Sequence, residues 1–315
     1  MPARPSRTIV ALSFFAIYVI WGSTYLAIRY AVETVPPLTT AAMRHSIAGL
    51  LLFAWAYQRG YRPTWREWRA SLVVGFLFFL LGHGGLHWAE QIVPSGFAAL
   101  IVATEPIWLA ILVALPPGGT RPTAPAIAGQ AIGLAGVALL MGPMSLESST
   151  SGVLTGSLVI LGGTLAWTLG IVYAARSPMP RDPLARAALP LLTGAAWLLI
   201  ALTAAGEPAR LAANPVSLRS ALAVAYLVTF GSLVAFTAYT WLLGHFPATL
   251  VATHTYVNPV VAVWLGWALG NEAISPRVLI AGAMIIMAVV LVNAGTRVPA
   301  RQESRAHAGA EADPA

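Results

Sequence analysis

A chain divided into ten apolar stretches, each close to the thickness of a bilayer, has few ways to fold. The stretches run approximately over Ile9–Ile28, Leu38–Tyr57, Ala70–Leu86, Ser95–Leu115, Ala124–Met141, Gly152–Ala174, Leu184–Ala204, Ser220–Leu243, Ala248–Gly270 and Pro276–Asn293. About 20 apolar residues cross the hydrocarbon core as a helix. In lipid every backbone polar group must be paired internally, so helices or a closed barrel are the available solutions. Segments of this length predict helices, and the fold class that follows is an all-α integral membrane protein with ten transmembrane helices. Composition agrees: 58% of residues are hydrophobic and 9% charged, against about 25% charged in a soluble domain. Breakers punctuate the stretches at Pro36-Pro37, Pro116-Pro117-Gly118-Gly119, Pro178 to Pro183 and Asn214-Pro215, where membrane helices must end. Ile9–Ile28 is too long for the apolar core of a signal peptide and has no small-residue cleavage site after it, so it is expected to persist as the first membrane helix.

Charge sets the expected orientation. The net charge of +7 comes from arginine, since the chain has no lysine. With a cytoplasmic N-terminus, Arg4, Arg7, the run Arg59 to Arg69, Arg121, the run Arg176 to Arg186, and Arg297 to Arg305 lie inside, whereas only Arg210, Arg219 and Arg277 lie in outside loops. Short cytoplasmic loops are enriched in this way, so both termini are expected in the cytoplasm, with residues 294–315 as a disordered polar tail. The arginines are spread over several short loops, not one face, which argues against a nucleic-acid partner. Cysteine is absent, removing disulfides, thiolate metal sites and cysteine nucleophiles.

The halves repeat. A shift of 153 places Trp88 on Trp241, Pro94 on Pro247, Pro106 on Pro259 and Gly129 on Gly282, and a shift of 146 places Trp21 on Trp167 and Pro37 on Pro183. Five spans per copy is an odd number, so the second copy must enter the membrane from the opposite side. Two inverted five-helix repeats, residues 9–141 and 152–293, are expected, the architecture in which secondary transporters bind solute near the midplane at broken helices.

One carboxylic acid, Glu105, stands in the middle of the fourth stretch, directly before Pro106. A charged residue at mid-membrane costs about 2.5–3.5 kcal/mol even on lenient scales and usually faces an interior cavity. Proline removes a helical hydrogen bond, freeing the carbonyl of Val102, and Pro259 does the same for Thr255. Under the shift of 153, Glu105-Pro106 corresponds to Asn258-Pro259, with His254 one turn before Asn258. These residues are the candidate site for substrate or coupling. Pro106 and Pro259 are the candidate helix breaks, against the alternative that they merely kink packed helices. Trp21 and Tyr25, one turn apart, are expected to form an aromatic pocket with Trp108 and Tyr256.

Trp21-Gly22-Ser23-Thr24-Tyr25, Arg29, Arg44 and Glu105-Pro106, set in a duplicated chain, resemble the EamA-type branch of the drug/metabolite transporter superfamily. The resemblance spans about Ile9 to Asn293. It implies ten helices in two inverted repeats and transport, often export, of small metabolites, amino acids or drugs across the inner (plasma) membrane. Thr168 and Leu169 stand where the first half has Gly22 and Ser23, so the Trp-Gly-Ser motif carries over to the first half alone.

Other polar groups leave alternatives open. Arg44 either snorkels to the outer surface or pairs with Glu105 or an anionic substrate. His83, His87 and Glu90 read as an interfacial cluster, a vestibule or a proton relay. His83 and His87 have i, i+4 spacing, but no further ligand nearby completes a zinc site. Gly129, Gly133 and Gly136 permit close helix approach, within a monomer or across a homodimer. Trp55, Tyr57, Trp65 and Trp68 read as an interfacial aromatic belt. No hydrolase elbow or metalloprotease pair appears, and no phosphate loop, so the chain is expected to be no enzyme, to need no cofactor and to run on ion coupling or exchange. A proton carried by Glu105 is the coupling expected; a receptor, a channel or an uncoupled exchanger is the alternative.

Overall fold

A computed structural model describes residues 6–115, 123–141, 151–246 and 248–296. The breaker Pro116-Pro117-Gly118-Gly119, Pro247 and the expected tail from residue 297 onward lie outside the described residues. Among the described residues all regular structure is helical, and helices occupy each of the ten apolar stretches. In chain order they are α1 Arg7–Ala31, α2 Pro37–Gln58, α3 Trp65–Ala89, α4 Ser95–Val102, α5 Glu105–Ala114, α6 Ala124–Met141 and α7 Ser151–Ala175. There follow α8 Pro183–Ala204, the short α9 Glu207–Ala213, α10 Leu218–His245, α11 Ala248–Val251, α12 His254–Gly270 and α13 Pro276–Thr296. Six segments, α1, α3, the α4–α5 stretch, α7, α8 and α10, are long and apolar enough to cross a membrane, and Val257–Gly270 and Pro276–Val292 are shorter apolar helices.

Helix starts are fixed by local chemistry. Pro37 opens α2, and the Glu207 carboxylate accepts from the amides of Leu38 (3.2 Å) and Thr39 (2.7 Å). A carboxylate there pairs donors that the first turn leaves unsatisfied. Thr64 and Glu67 form a reciprocal capping box at α3, and Asp182 accepts from Ala185 N at 2.8 Å to start α8. Glu272 accepts from Ser95 N (2.8 Å) and Gly96 N (3.1 Å) at the start of α4. The carboxylate of Glu272 also lies 3.7 Å from Arg29 Nε, so Arg29 is engaged at one end of the bundle.

Three of the long helices widen to π-type hydrogen bonding, over Ala16–Ile20 in α1, Phe76–Gly84 in α3 and Leu227–Phe236 in α10. Such widenings re-aim backbone and recur at functional sites. The helices pack in pairs: α2 along α8, α6 along α13, α3 against α7, α1 against α10 and α12, and α4 against α12 and α7. Gly129 and Gly133 lie where α6 meets α13, and a Cβ on Gly129 would come within 2.7 Å of the Ala288 carbonyl. The glycine stripe is therefore filled from inside the same chain. Outward faces carry apolar side chains such as Leu50, Leu51, Ile127, Trp264 and Leu279, which suits contact with lipid. Two buried apolar clusters, one around Tyr25, Phe97 and Leu227, the other around Trp21, Phe79 and Tyr239, enclose the interior between them.

Candidate functional site

The fourth and ninth stretches are both broken, and the breaks are built alike. Val102-Ala103-Thr104-Glu105 and Val251-Ala252-Thr253-His254 each leave helical geometry for two residues and restart at the fourth. The Thr104 hydroxyl donates to Ile101 O at 2.7 Å and the Thr253 hydroxyl to Leu250 O at 2.6 Å. The amides of the same threonines donate to the same carbonyls at 3.1 and 3.2 Å. Glu105 and His254 thereby become the opening residues of α5 and α12.

This corrects two expectations. The counterpart of Glu105 is His254, not Asn258, because the leading half-helix has eight residues in α4 and four in α11, and this absorbs the difference between the shifts. Pro106 sits at its break as the second residue of α5, where a missing N–H costs nothing. Pro259 does not sit at a break: it lies inside α12, and the interruption falls upstream at Ala252-Thr253.

Both restarts face one cavity. Its walls come from α1 (Trp21, Thr24, Tyr25, Ile28), α2 (Arg44), α3 (Gly82, His83, Leu86), the first break (Val102, Glu105), α7 (Ile160, Gly163, Thr164, Trp167) and α12 (His254, Asn258). It holds about 80 Å³, counted as the space open to the centre of a water molecule. One water needs about 10–15 Å³ by that measure, so there is room for several waters or a small solute.

Glu105 is 3% exposed, and among the described residues no hydrogen bond or ion pair engages its carboxyl. The Nδ1 of His254 donates to Val251 O at 3.0 Å, which leaves Nε2 as the nitrogen free to meet a ligand. Asn258 is committed to structure. With its amide nitrogen turned toward α1, it donates to the carbonyls of Tyr18 (2.8 Å), Ile17 (3.0 Å) and His254 (3.2 Å), two of them in the widened turn.

Arg44 does not snorkel. It is 2% exposed, and its Nε donates to Ser232 Oγ at 3.0 Å. Its guanidinium lies against Gly231 of the α10 widening, where a Cβ would come within 2.8 Å of it. A Cβ-free turn is thus what admits a cation this deep. Among the described residues no carboxylate lies within ion-pair distance of Arg44.

The aromatic pocket has a different membership from the one expected. Trp21 and Tyr25 are in the wall, but Trp108 is not: its indole donates to Thr104 Oγ1 at 3.2 Å. The Tyr256 side chain lies outside the described residues. Trp167 takes the place, stacked on Phe78 (4.1 Å) and His83 (5.1 Å) and edge-on to Trp21 at 6.3 Å. Its sequence signal was its alignment with Trp21 in the repeat.

His83, His87 and Glu90 are no interfacial cluster, since His87 and Glu90 are 0% and 1% exposed. His45 of α2, which no spacing pointed to, joins them, with its Nε2 3.1 Å from His83 Nδ1. Among the described residues no group of three or more metal-ligating side chains is placed to hold an ion.

Comparison with known proteins agrees with the geometry. A sequence family described as the EamA-like transporter family matches residues 8–142 and again 154–294. The chain is 41% identical over 285 residues to the uncharacterized inner membrane transporter YedA of Escherichia coli (strain K12), covering 90% of each chain. It is 27% identical over 292 residues to the uncharacterized transporter YvbV of Bacillus subtilis (strain 168), covering 91% of this chain and 92% of that one. A solved crystal structure superposes with a TM-score of 0.63 at 22% identity, covering 93% of this chain and 100% of that chain, a likeness of fold.

Proposed function

Since this chain belongs to the EamA-like transporter family and is, like its relative YedA, a multi-pass protein of the inner membrane, we propose that it is a proton-coupled secondary transporter exporting a small solute. The observation that carries this reading is the unpartnered Glu105 carboxyl at the start of one half-helix, sharing a cavity with His254 at the start of another. Half-helix starts bear partial positive charge, and transporters use such interruptions to bind solute and coupling ion at mid-depth. A buried acid without partners binds a proton when the site is sealed from water and yields it when the site opens. Solute and proton then compete for one site, which is the requirement for antiport.

Alternating access follows from two inverted five-helix repeats, residues 9–141 and 152–293, with both termini cytoplasmic. Support for the repeat comes from the packing: the first stretch meets the eighth and ninth as the sixth meets the third and fourth, while second pairs with seventh and fifth with tenth. Exchanging the halves leaves this scheme unchanged, as a pseudo-twofold axis requires. The matching Thr104 and Thr253 breaks support it independently.

The test is flux of a panel of labelled amino acids and hydrophobic cations in proteoliposomes under an imposed pH gradient. Gradient-dependent flux of at least one solute is expected. Flux indifferent to the gradient would mean facilitated exchange, and an absence of flux across the panel would favour a receptor.

A further inference from the structure

Beyond the cavity, α3 ends in a second buried acid that the scheme above leaves unused. Glu90 is 1% exposed, and among the described residues neither carboxyl oxygen has a hydrogen-bond partner, the backbone of Arg29 being close by. Another deeply buried acid outside the cavity behaves differently: Glu207, 2% exposed, is held by Leu38 N, Thr39 N and Thr39 Oγ1. A carboxylate buried without hydrogen-bond partners is unfavourable, so an acid held this way is suited to take up a proton.

We propose that Glu90 is a second proton-binding site, one helical turn beyond Leu86 of the cavity wall: it is an acid with the proton bound and a carboxylate once the proton leaves.

The surroundings are suited to hold the charge that remains. Arg29 of α1 and Arg44 of α2 lie within electrostatic reach of Glu90, and the Glu272 carboxylate opposes them. From α3 itself His87 is on the same side, its Nδ1 bonded to His83 O at 2.7 Å and its buried Nε2 unpartnered. His83 in turn meets His45. The sequence of α4 holds no titratable residue, and that of α7 only Tyr173, near the opposite end of its helix.

This assignment extends the proton-coupled reading of Glu105, and one experiment separates the two. Infrared spectra of the purified full chain in lipid resolve the carbonyl stretch of protonated carboxyls from that of carboxylates. Wild type, Glu90→Gln and Glu105→Gln are recorded at neutral pH in light and heavy water. Two protonated-carboxyl bands are expected, one missing in each variant. If Glu90→Gln removes no band, the second site is wrong, whatever Glu105 does. If only the Glu105 band is missing from the wild-type spectrum, the coupling at Glu105 falls and the Glu90 site stands. Should Glu90→Gln fail to fold, Glu90→Asp replaces it: a shifted band supports the site and an unmoved spectrum overturns it.

Discussion

Asn258 and Glu105 line the same cavity and are put there for opposite reasons. Asn258 has its amide donors spent on the carbonyls of Ile17, Tyr18 and His254. Removing a buried donor that satisfies such groups costs about 1–3 kcal/mol. Asn258→Ala is therefore expected to lower the thermal midpoint in detergent, and an unchanged midpoint with lost solute binding would place Asn258 in the binding set instead. Glu105 has no such bonds, so Glu105→Gln should leave the midpoint within about 0.5 kcal/mol of wild type, the scale of a change that disturbs no packing or pairing. The sequence made Glu105 legible because a lone acid in an apolar stretch has few explanations. It could not show whether Asn258 was spent, since two of its three partners, Ile17 and Tyr18, lie at the far end of the sequence in α1. Arg44 was ambiguous for a related reason: nothing local to α2 reveals that α10 widens at Gly231 and admits the guanidinium. His45 was invisible, because its one partner lies on α3.

At the scale of elements, the two breaks are the feature most open to test. Thr104 and Thr253 perform the same local task with hydroxyl bonds of 2.7 and 2.6 Å to the third residue before them. Thr104→Ala and Thr253→Ala should each cost about 1–3 kcal/mol, the net worth of two hydrogen bonds, since Thr104 Oγ1 also accepts from the Trp108 indole and Thr253 Oγ1 also pairs with the Tyr18 hydroxyl, with similar loss of flux. Strongly unequal effects, read by unfolding and transport together, would break the equivalence of the halves here. The glycines give a sharper contrast. A Cβ at Gly133 would collide with the Ile107 side chain and come within 3.0 Å of Ala288 Cβ, whereas at Gly162 nothing lies within 4 Å. Gly133→Ala should destabilise by about 1–3 kcal/mol through overpacking, and Gly162→Ala should stabilise by up to about 1 kcal/mol through helix propensity. Equal effects on the unfolding midpoint would mean that α6 does not pack on α13 as described. Helix positions were readable from hydropathy because a bilayer-length apolar run admits little else. The interruption at Ala252-Thr253 was not, since it carries no proline, and the nearby Pro259 gave a false marker. The repeated Val-Ala-Thr before Glu105 and His254 was the signal that would have found it.

At the scale of the whole molecule, the inverted repeat and the orientation make one joint prediction. The chain has no cysteine, so single cysteines can be placed without background. Arg59 and Ala213 are both exposed and lie between apolar stretches, in connections expected on opposite sides. A membrane-impermeant thiol reagent added to intact cells should label Ala213→Cys and spare Arg59→Cys, and the reverse pattern would invert the topology. Arginine placement is the basis of the side assignment that this labelling tests, and the recurrence of Trp21 at Trp167 pointed to the duplication that the family match finds over residues 8–142 and 154–294. What stayed hidden was how the halves share one cavity, since Trp167, His254 and Glu105 come together only when three separate helices pack.

The most direct test of the central claim is gradient-driven flux in proteoliposomes, comparing wild type with Glu105→Gln for whichever solute the wild type moves. The expected result is that the variant loses flux driven by the pH gradient while still exchanging labelled for unlabelled solute across the membrane. Gradient-driven flux that persists in Glu105→Gln would contradict proton coupling at this site.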